Sequence, residues 1–282
     1  MDASMNEMAH ATHLGIKYWS YHDEKLPVLI LIHGFTGSHK GFMYLEPLLA
    51  NYHLIIPDLP GFGESDLPDA QQWSIDALAD MLNTFVESLN LSEPPHILGH
   101  SMGGLVVSSM VARHPDLYHD IVLISPVPTA IRRNDSRAPG AVLGALQYRI
   151  AAKTGRLGSK LMTSKTISRF ATDLMTRTSD RERKAAIREH HFENLDFISS
   201  IHFYEKLYHD INRQGSIDHA QALQKKRILI ITGDQDNVTP LREEKRLAES
   251  IQPEKFVVIP RVGHLIHYER PEEAAEAIHA FL

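Results

Sequence analysis

Ser101 stands in Gly99-His100-Ser101-Met102-Gly103, directly after the apolar run Ile97-Leu98 and shortly before Leu105-Val106-Val107. Its hydroxyl is a candidate nucleophile. A strand that reverses abruptly into a helix strains the backbone at the turn, and side chains two positions to either side would collide, so the flanking glycines have a mechanical reason. The helix that follows aims free backbone N–H groups at the turn, where they favour developing negative charge. Serine is a poor nucleophile at neutral pH without a base to take its proton and an acid to orient that base. Two later segments, Gly233–Pro240 and Pro260–His264, each follow an apolar run and offer carboxylates or imidazoles, with Asp234, Asp236, His264 and His267 as the choices.

These residues must be carried by elements of a recognisable kind. Val28–Ile32, His53–Ile56, Ile121–Ile124, Arg227–Thr232 and Lys255–Ile259 are short continuous apolar runs, the pattern of strands buried on both faces. A weaker alternation from His13 to Tyr21 reads as a further strand. Between the runs, Ser74–Leu89 has apolar residues at helical spacing behind a Ser74 N-cap, Met102–Arg113 makes a second helix, and Pro271–Leu282 a closing one. Strands alternating with helices predict an α/β protein with a mostly parallel central sheet and helices on both faces. In such a sheet reactive groups belong in loops at the carboxyl ends of strands. The alternation stops between Pro126 and Ala222, where helical pieces are expected around Ala141–Ala152, Thr163–Thr176, Asp180–His191 and Leu195–Ile211. The predicted division is a core of residues 1–125 and 223–282 with a helical cap insertion at 126–222.

With these residues in place, the chain resembles the α/β-hydrolase fold family over nearly its whole length outside the insertion. The family's nucleophile, acid and histidine order is matched by Ser101, Asp236 and His264. Its Gly-x-x-Asp-x-x-x-Pro loop runs here from Gly233 to Pro240 and selects Asp236 over Asp234, which becomes a loop-capping residue. Its histidine loop matches Gly263-His264, and His267, without a preceding glycine, is expected to be structural or at a pocket edge. The His33-Gly34-Phe35 turn resembles the family's oxyanion turn, implying the backbone N–H groups of Phe35 and Met102 as oxyanion donors, with His33 structural. Asp58 and the Gly61–Ser65 loop match segments that shape the fold and the pocket wall. The reaction implied is hydrolysis of a carboxylic ester, thioester or lactone through an acyl-enzyme on Ser101, with no metal or organic cofactor. The alternatives carried are carbon–carbon bond hydrolysis of diketone-type ring-cleavage products by the same triad, and a non-catalytic ligand-binding member of the fold. Ser101 argues against the haloalkane dehalogenases and epoxide hydrolases, which use a carboxylate at this position.

Composition narrows the setting. The chain has 282 residues, 43% hydrophobic, no cysteine and a formal charge of −6, which excludes a disulfide framework and a thiolate site and supplies no reason to expect a nucleic-acid partner. The acidic start Met1–Glu7 lacks the basic and apolar parts of a secretory signal. No segment approaches the roughly 20 apolar residues that span a bilayer. A cytoplasmic protein without stable membrane insertion is expected, acting on a small-molecule ester; the oligomeric state is left open. The charge is uneven: Pro126–Phe192 holds fourteen Lys and Arg against five Asp and Glu, a surplus of about nine, so the remainder carries about −15. A solvated basic face accounts for this, and a sharper reading is attraction of an anionic partner: a carrier protein, a phospholipid surface or a carboxylate-bearing ester. Leu161, Met162, Ile167, Phe170, Leu174, Met175, Phe192, Ile198 and Phe203 are candidates for an acyl pocket, most of them expected to pack the cap on the core instead.

Overall fold

The computed structural model describes residues 7–130, 150–151, 153–154, 156–198 and 200–282. The expected helix around 141–152 therefore lies almost wholly outside the described residues, as do Arg132, Arg133, Arg137 and Arg149. Eight strands form one sheet: β1 (Glu7–His13), β2 (Ile16–Tyr21), β3 (Val28–Ile32), β4 (His53–Pro57), β5 (His96–His100), β6 (Ile121–Ile124), β7 (Ile228–Gly233) and β8 (Lys255–Ile259), in the order β1-β2-β4-β3-β5-β6-β7-β8. From β4 to β8 every neighbouring pair is parallel, and β1 and β2 add an antiparallel edge. The stretch from His13 to Tyr21 is thus not one strand. Leu14 and Gly15 take positive φ and turn the chain between β1 and β2.

The continuous apolar runs have a simple cause. Along β3, β5, β6 and β7, Ile30, Ile32, Ile97, Ile121, Leu123, Ile228 and Ile230 enter one core. Their neighbours Leu29, Leu31, Leu98, Val122, Ile124, Leu229 and Ile231 enter the other. Both faces of the sheet are covered, so both phases of the strand alternation are apolar. The first core is closed by α1 (Ile75–Ser88), whose start is capped by the Ser74 hydroxyl accepting from the Ala77 N–H at 3.1 Å, and by α2 (Met102–Arg113). Between β6 and β7 lie α3 (Arg156–Met162), α4 (Lys165–Met175), α5 (Arg181–Asn194), α6 (Ile201–Ile211) and α7 (Ala220–Leu223). The expected Leu195–Ile211 helix is broken into a short 3-10 turn, Leu195–Phe197, and α6, which starts from its own Ser200 cap. After β7 come α8 (Leu241–Ile251), α9 (Ile266–Glu269) and α10 (Pro271–His279), the last beginning on Pro271 as expected.

Asp58 ties together the loops behind the pocket. Fully buried, it accepts the His39 N–H at 2.6 Å and His39 Nδ1–H at 3.0 Å on one oxygen, and the Glu64 N–H at 2.8 Å on the other. Gly63 lets the loop close around it: φ is +51°, and a Cβ there would lie 2.0 Å from Asp58 Oδ2. Loss of this carboxylate strands buried donors, which costs more than the bonds themselves contribute. Asp58→Ala is therefore expected to destabilise the fold by about 3 kcal/mol, read as a lowered Tm in calorimetry; an unchanged Tm would contradict this role.

Candidate active site

Parallel pairing brings the chemistry to one edge. Ile32 is level with Gly99, His100 with Ile124, Ile124 with Ile231, and Gly233 with Ile259, so the loops after β3, β5, β7 and β8 leave the sheet together. Ser101 has φ +55° and ψ −120°, outside the regions a serine ordinarily occupies. The strain is held by backbone contact. A Cβ on Gly103 would sit 2.2 Å from the Ile32 carbonyl oxygen, and one on Gly99 2.5 Å from the Gly103 carbonyl oxygen. Any other residue at either position would push α2 off β3 and β5.

The structure brings Ser101, His264 and Asp236 into one line. Ser101 Oγ lies 2.8 Å from His264 Nε2, and His264 Nδ1 lies 2.8 Å from Asp236 Oδ2. With Asp236 ionised, Nδ1 carries the proton and Nε2 accepts from the serine hydroxyl. Asp236 is buried and its remaining valences are filled: Oδ1 accepts the Val238 and Thr239 N–H groups at 2.8 and 2.9 Å, and Oδ2 also accepts the Thr239 hydroxyl at 2.8 Å. Burial would raise its pKa, but His264 and the Thr239 donors outweigh that and hold it below the ordinary carboxylate value. Glu244, buried nearby, goes the other way: burial, then the negative charge of Asp236, pushes its carboxyl well up. Of these two acids Asp236 is the one that carries charge at neutral pH.

The remaining expected residues fall where their chemistry puts them. Asp234 accepts the Arg261 N–H at 2.6 Å and closes the turn after β8, a loop-capping job. His33 donates from Nδ1 to the Gly34 carbonyl at 2.8 Å and accepts the Leu59 N–H on Nε2 at 2.9 Å, stapling the turn after β3 to the loop after β4. Phe35 and Met102 line the pocket beside Ser101. His267 is buried, packs on the His100 ring with centroids 4.0 Å apart and also reaches the pocket wall.

Several participants had no signal in the sequence. The His264 N–H donates to the Met175 carbonyl at 3.0 Å, Asn237 Nδ2 donates to the Leu174 carbonyl at 3.0 Å, and a Cβ on Gly263 would lie 2.2 Å from the Met175 oxygen. The end of α4 is thereby fastened to the histidine and acid loops. Glu269 completes the join by accepting the Arg177 and Thr178 N–H groups. These bonds involve main-chain atoms whose partners lie 63 to 92 residues away, and side-chain type does not announce them.

The resulting cavity measures about 710 Å³. Ser101, Met102, Phe35 and His264 are in its wall, and Leu161, Met162, Ile167, Phe170, Leu174, Met175 and Ile198 supply most of the cap side. Seven of the nine candidate pocket residues thus line it, against the expectation that most would only pack. Phe203 instead packs on Phe62, Trp73 and Tyr204, and Phe192 lies under the Lys165 ammonium. Among the described residues no Asp, Glu, Lys or Arg side chain lines the cavity.

Four histidines, His100, His190, His191 and His267, stand at or behind the wall and resist protonation. His100 donates from Nε2 to the His264 carbonyl at 3.1 Å, and burial, then the nearby His264, pulls its pKa down to about 3. Burial, then His190, does the same to His191, at about 3; burial, then Lys40, takes His190 to about 4. His267 is lowered in the same direction, by burial first and then by His100. In the unfolded chain all four titrate near 6.5. Below that pH the unfolded state binds protons the folded state refuses, so stability falls as pH drops from about 7 towards 4. The Tm is expected to be lower at pH 5 than at pH 7. His100→Gln, which keeps a donor for the His264 carbonyl, is expected to recover up to about 2 kcal/mol of the loss at pH 5; an identical pH dependence in the variant would contradict the assignment.

Comparison with known proteins agrees with this architecture. The family model described as alpha/beta hydrolase fold matches residues 27–271. Monoacylglycerol lipase ABHD6 from Bos taurus is 26% identical over 264 residues, covering 91% of this chain and 75% of the lipase. Among solved structures, esterase RhEst1 from Rhodococcus sp. ECU1013 superposes with a TM-score of 0.78 at 21% identity, over 97% of each chain. The 2-hydroxy-6-oxo-6-phenylhexa-2,4-dienoate hydrolase of Rhodococcus sp. strain RHA1 superposes with a TM-score of 0.77 at 20% identity, over 94% of each chain. At such identities the two structures show a common fold and no more. The match over 27–271, across strands β3 to β8 and the loops that carry Ser101, Asp236 and His264, shows that this chain belongs to the alpha/beta hydrolase fold family.

Proposed function

We propose that the protein is a serine hydrolase of carboxylic esters with an apolar acyl chain. The observation that carries the reading is His264, 2.8 Å from both Ser101 Oγ and Asp236 Oδ2, at the wall of a cavity of about 710 Å³ whose described lining has no Asp, Glu, Lys or Arg side chain. In the mechanism Ser101 Oγ attacks the ester carbonyl carbon while its proton passes to His264 Nε2. Asp236 holds Nδ1–H and balances the imidazolium that forms. The tetrahedral oxyanion is received by the backbone N–H groups of Phe35 and Met102, and α2 adds the positive end of its dipole. His264 then returns the proton to the leaving alcohol, and water attacks the acyl-enzyme with His264 again as base. Residues 126–222 act as the cap, supplying the acyl side of the cavity.

The wall chemistry separates the readings. A carboxylate-bearing substrate needs a cation to meet it, and the described wall has none. Arg177 is spent on the Leu174 and Thr176 carbonyls, Arg183 on the Tyr268 carbonyl, and Arg188 on Asp173. That weighs against an anionic small ester and against dienoate-type carbon–carbon cleavage, and favours a neutral acyl chain, as does the similarity to a monoacylglycerol lipase.

A fluorophosphonate probe is expected to label the folded protein at Ser101, and Ser101→Ala to abolish labelling and lower kcat by at least three orders of magnitude. On p-nitrophenyl esters, kcat/KM is expected to rise at least tenfold from acetate to octanoate, since each methylene buried contributes up to about 0.8 kcal/mol. A diketone cleaved faster than every ester would replace this reading by the carbon–carbon one, and an unlabelled Ser101 would remove both.

A further inference from the structure

A basic stretch of the chain stands at the mouth of the cavity. From Ile150 to Thr172 the chain carries Lys153, Arg156, Lys160, Lys165 and Arg169 and not one acidic residue. Lys153, Lys160, Lys165 and Arg169 are exposed, and none of them pairs with a carboxylate among the described residues. Large apolar side chains stand among them in water: Ile150 is 44%, Leu157 68% and Phe170 60% exposed. Ile150 and Phe170 also line the cavity, so they mark where it opens. On α4, Lys165 and Arg169 form one stripe, one turn apart, and Thr166 and Phe170 the next, so cations and apolar groups face the same way.

A solvated basic face needs no exposed leucine or phenylalanine, and a purely acidic partner is met by charge alone. The combination of cations free of carboxylate partners with protruding apolar side chains is what a bilayer surface takes: ammonium and guanidinium groups at the headgroups, apolar groups at the acyl boundary. We propose that the 150–170 face of the cap docks the protein on an anionic lipid surface with the cavity mouth turned to the bilayer. The exposed cations Lys153, Lys160, Lys165 and Arg169, on a chain whose formal charge is −6, favour approach to an anionic surface by this face. Acyl chains then pass from lipid to Ser101 along an apolar wall without crossing water. That purpose rests on the ester-hydrolase reading; the docking does not.

Full-length protein with Ser101→Ala is tested for co-sedimentation with vesicles of phosphatidylcholine alone and of phosphatidylcholine with a third phosphatidylserine, at low and at physiological salt. Binding is expected to be at least tenfold stronger to the anionic vesicles and to weaken with salt. The combined variant Lys153→Gln, Lys160→Gln, Lys165→Gln, Arg169→Gln is expected to lose at least tenfold, each cation near an anionic leaflet contributing up to about fivefold. Leu157→Ser is expected to lose severalfold. In the Ser101 background both variants keep wild-type kcat/KM on soluble p-nitrophenyl butyrate, since none of these side chains lines the cavity. Equal binding to both vesicle types, no binding to either, or binding to an acidic acyl carrier protein in place of vesicles overturns the proposal. So does an undiminished Leu157→Ser, because the contact would then be charge alone. Loss of butyrate hydrolysis by Ser101→Ala is scored separately and bears only on the chemistry.

Discussion

The structure depends on one close approach of backbone to backbone. Helix α2 begins against the carbonyls of Ile32 and His33, a distance that leaves no room for a Cβ on Gly103 and forces Ser101 to φ +55°. Because the helix starts there, its N-terminal amides face the same point as the serine hydroxyl. Because β3 is the strand approached, the turn after it, with Phe35, stands on the other side of that point. The strain at Ser101 persists because the glycines, the parallel register and the apolar packing beneath α2 all require the same geometry.

The other half of the site is held by the helices between β6 and β7 as much as by the sheet. His264 reaches Ser101 from the loop after β8, and its backbone N–H is bonded to the last turn of α4 through the Met175 carbonyl. Asn237, one residue past the acid, holds the neighbouring Leu174 carbonyl. Acid loop, histidine loop and cap helix therefore form one hydrogen-bonded joint, with Glu269 capping the chain as it leaves α4. Around the joint, burial keeps His100, His190, His191 and His267 neutral at neutral pH, leaving Asp236 as the charged partner of His264. A carboxylate in a low-dielectric wall orients an imidazole more firmly than one in water.

Charge and hydrophobicity are sorted in opposite senses across the cap. Its inward faces supply Leu161, Ile167 and Leu174 to the cavity, while among the described residues Lys153, Lys160, Lys165 and Arg169 are exposed and Arg177, Arg183 and Arg188 bond carbonyls and Asp173. Among the described residues the same helices thus present an uncharged wall to the cavity and a basic surface to the surroundings. Among the described residues no helix is long and apolar enough to cross a membrane.

The sequence by itself determined strands β3 to β8, the order of their loops and the candidate nucleophile Ser101, because these are written in local signals. Continuous apolar runs report strands covered on both faces, and Gly-x-Ser-x-Gly reports a turn whose crowding is set within five residues. Asp236 and His264 were legible through the resemblance of their loops to a known family; residue type alone left Asp234 and His267 open. Only the tertiary structure decided what meets across long separations. Ile167 and Leu174 face the cavity while Phe203 packs on Phe62, though all three sit at equivalent apolar positions in the sequence. The absence of a cation from the described cavity wall, the Met175 carbonyl on His264 and the neutral histidines follow from which surfaces were brought together. Helical periodicity states that a residue is buried, and the packing of one element on another decides against what.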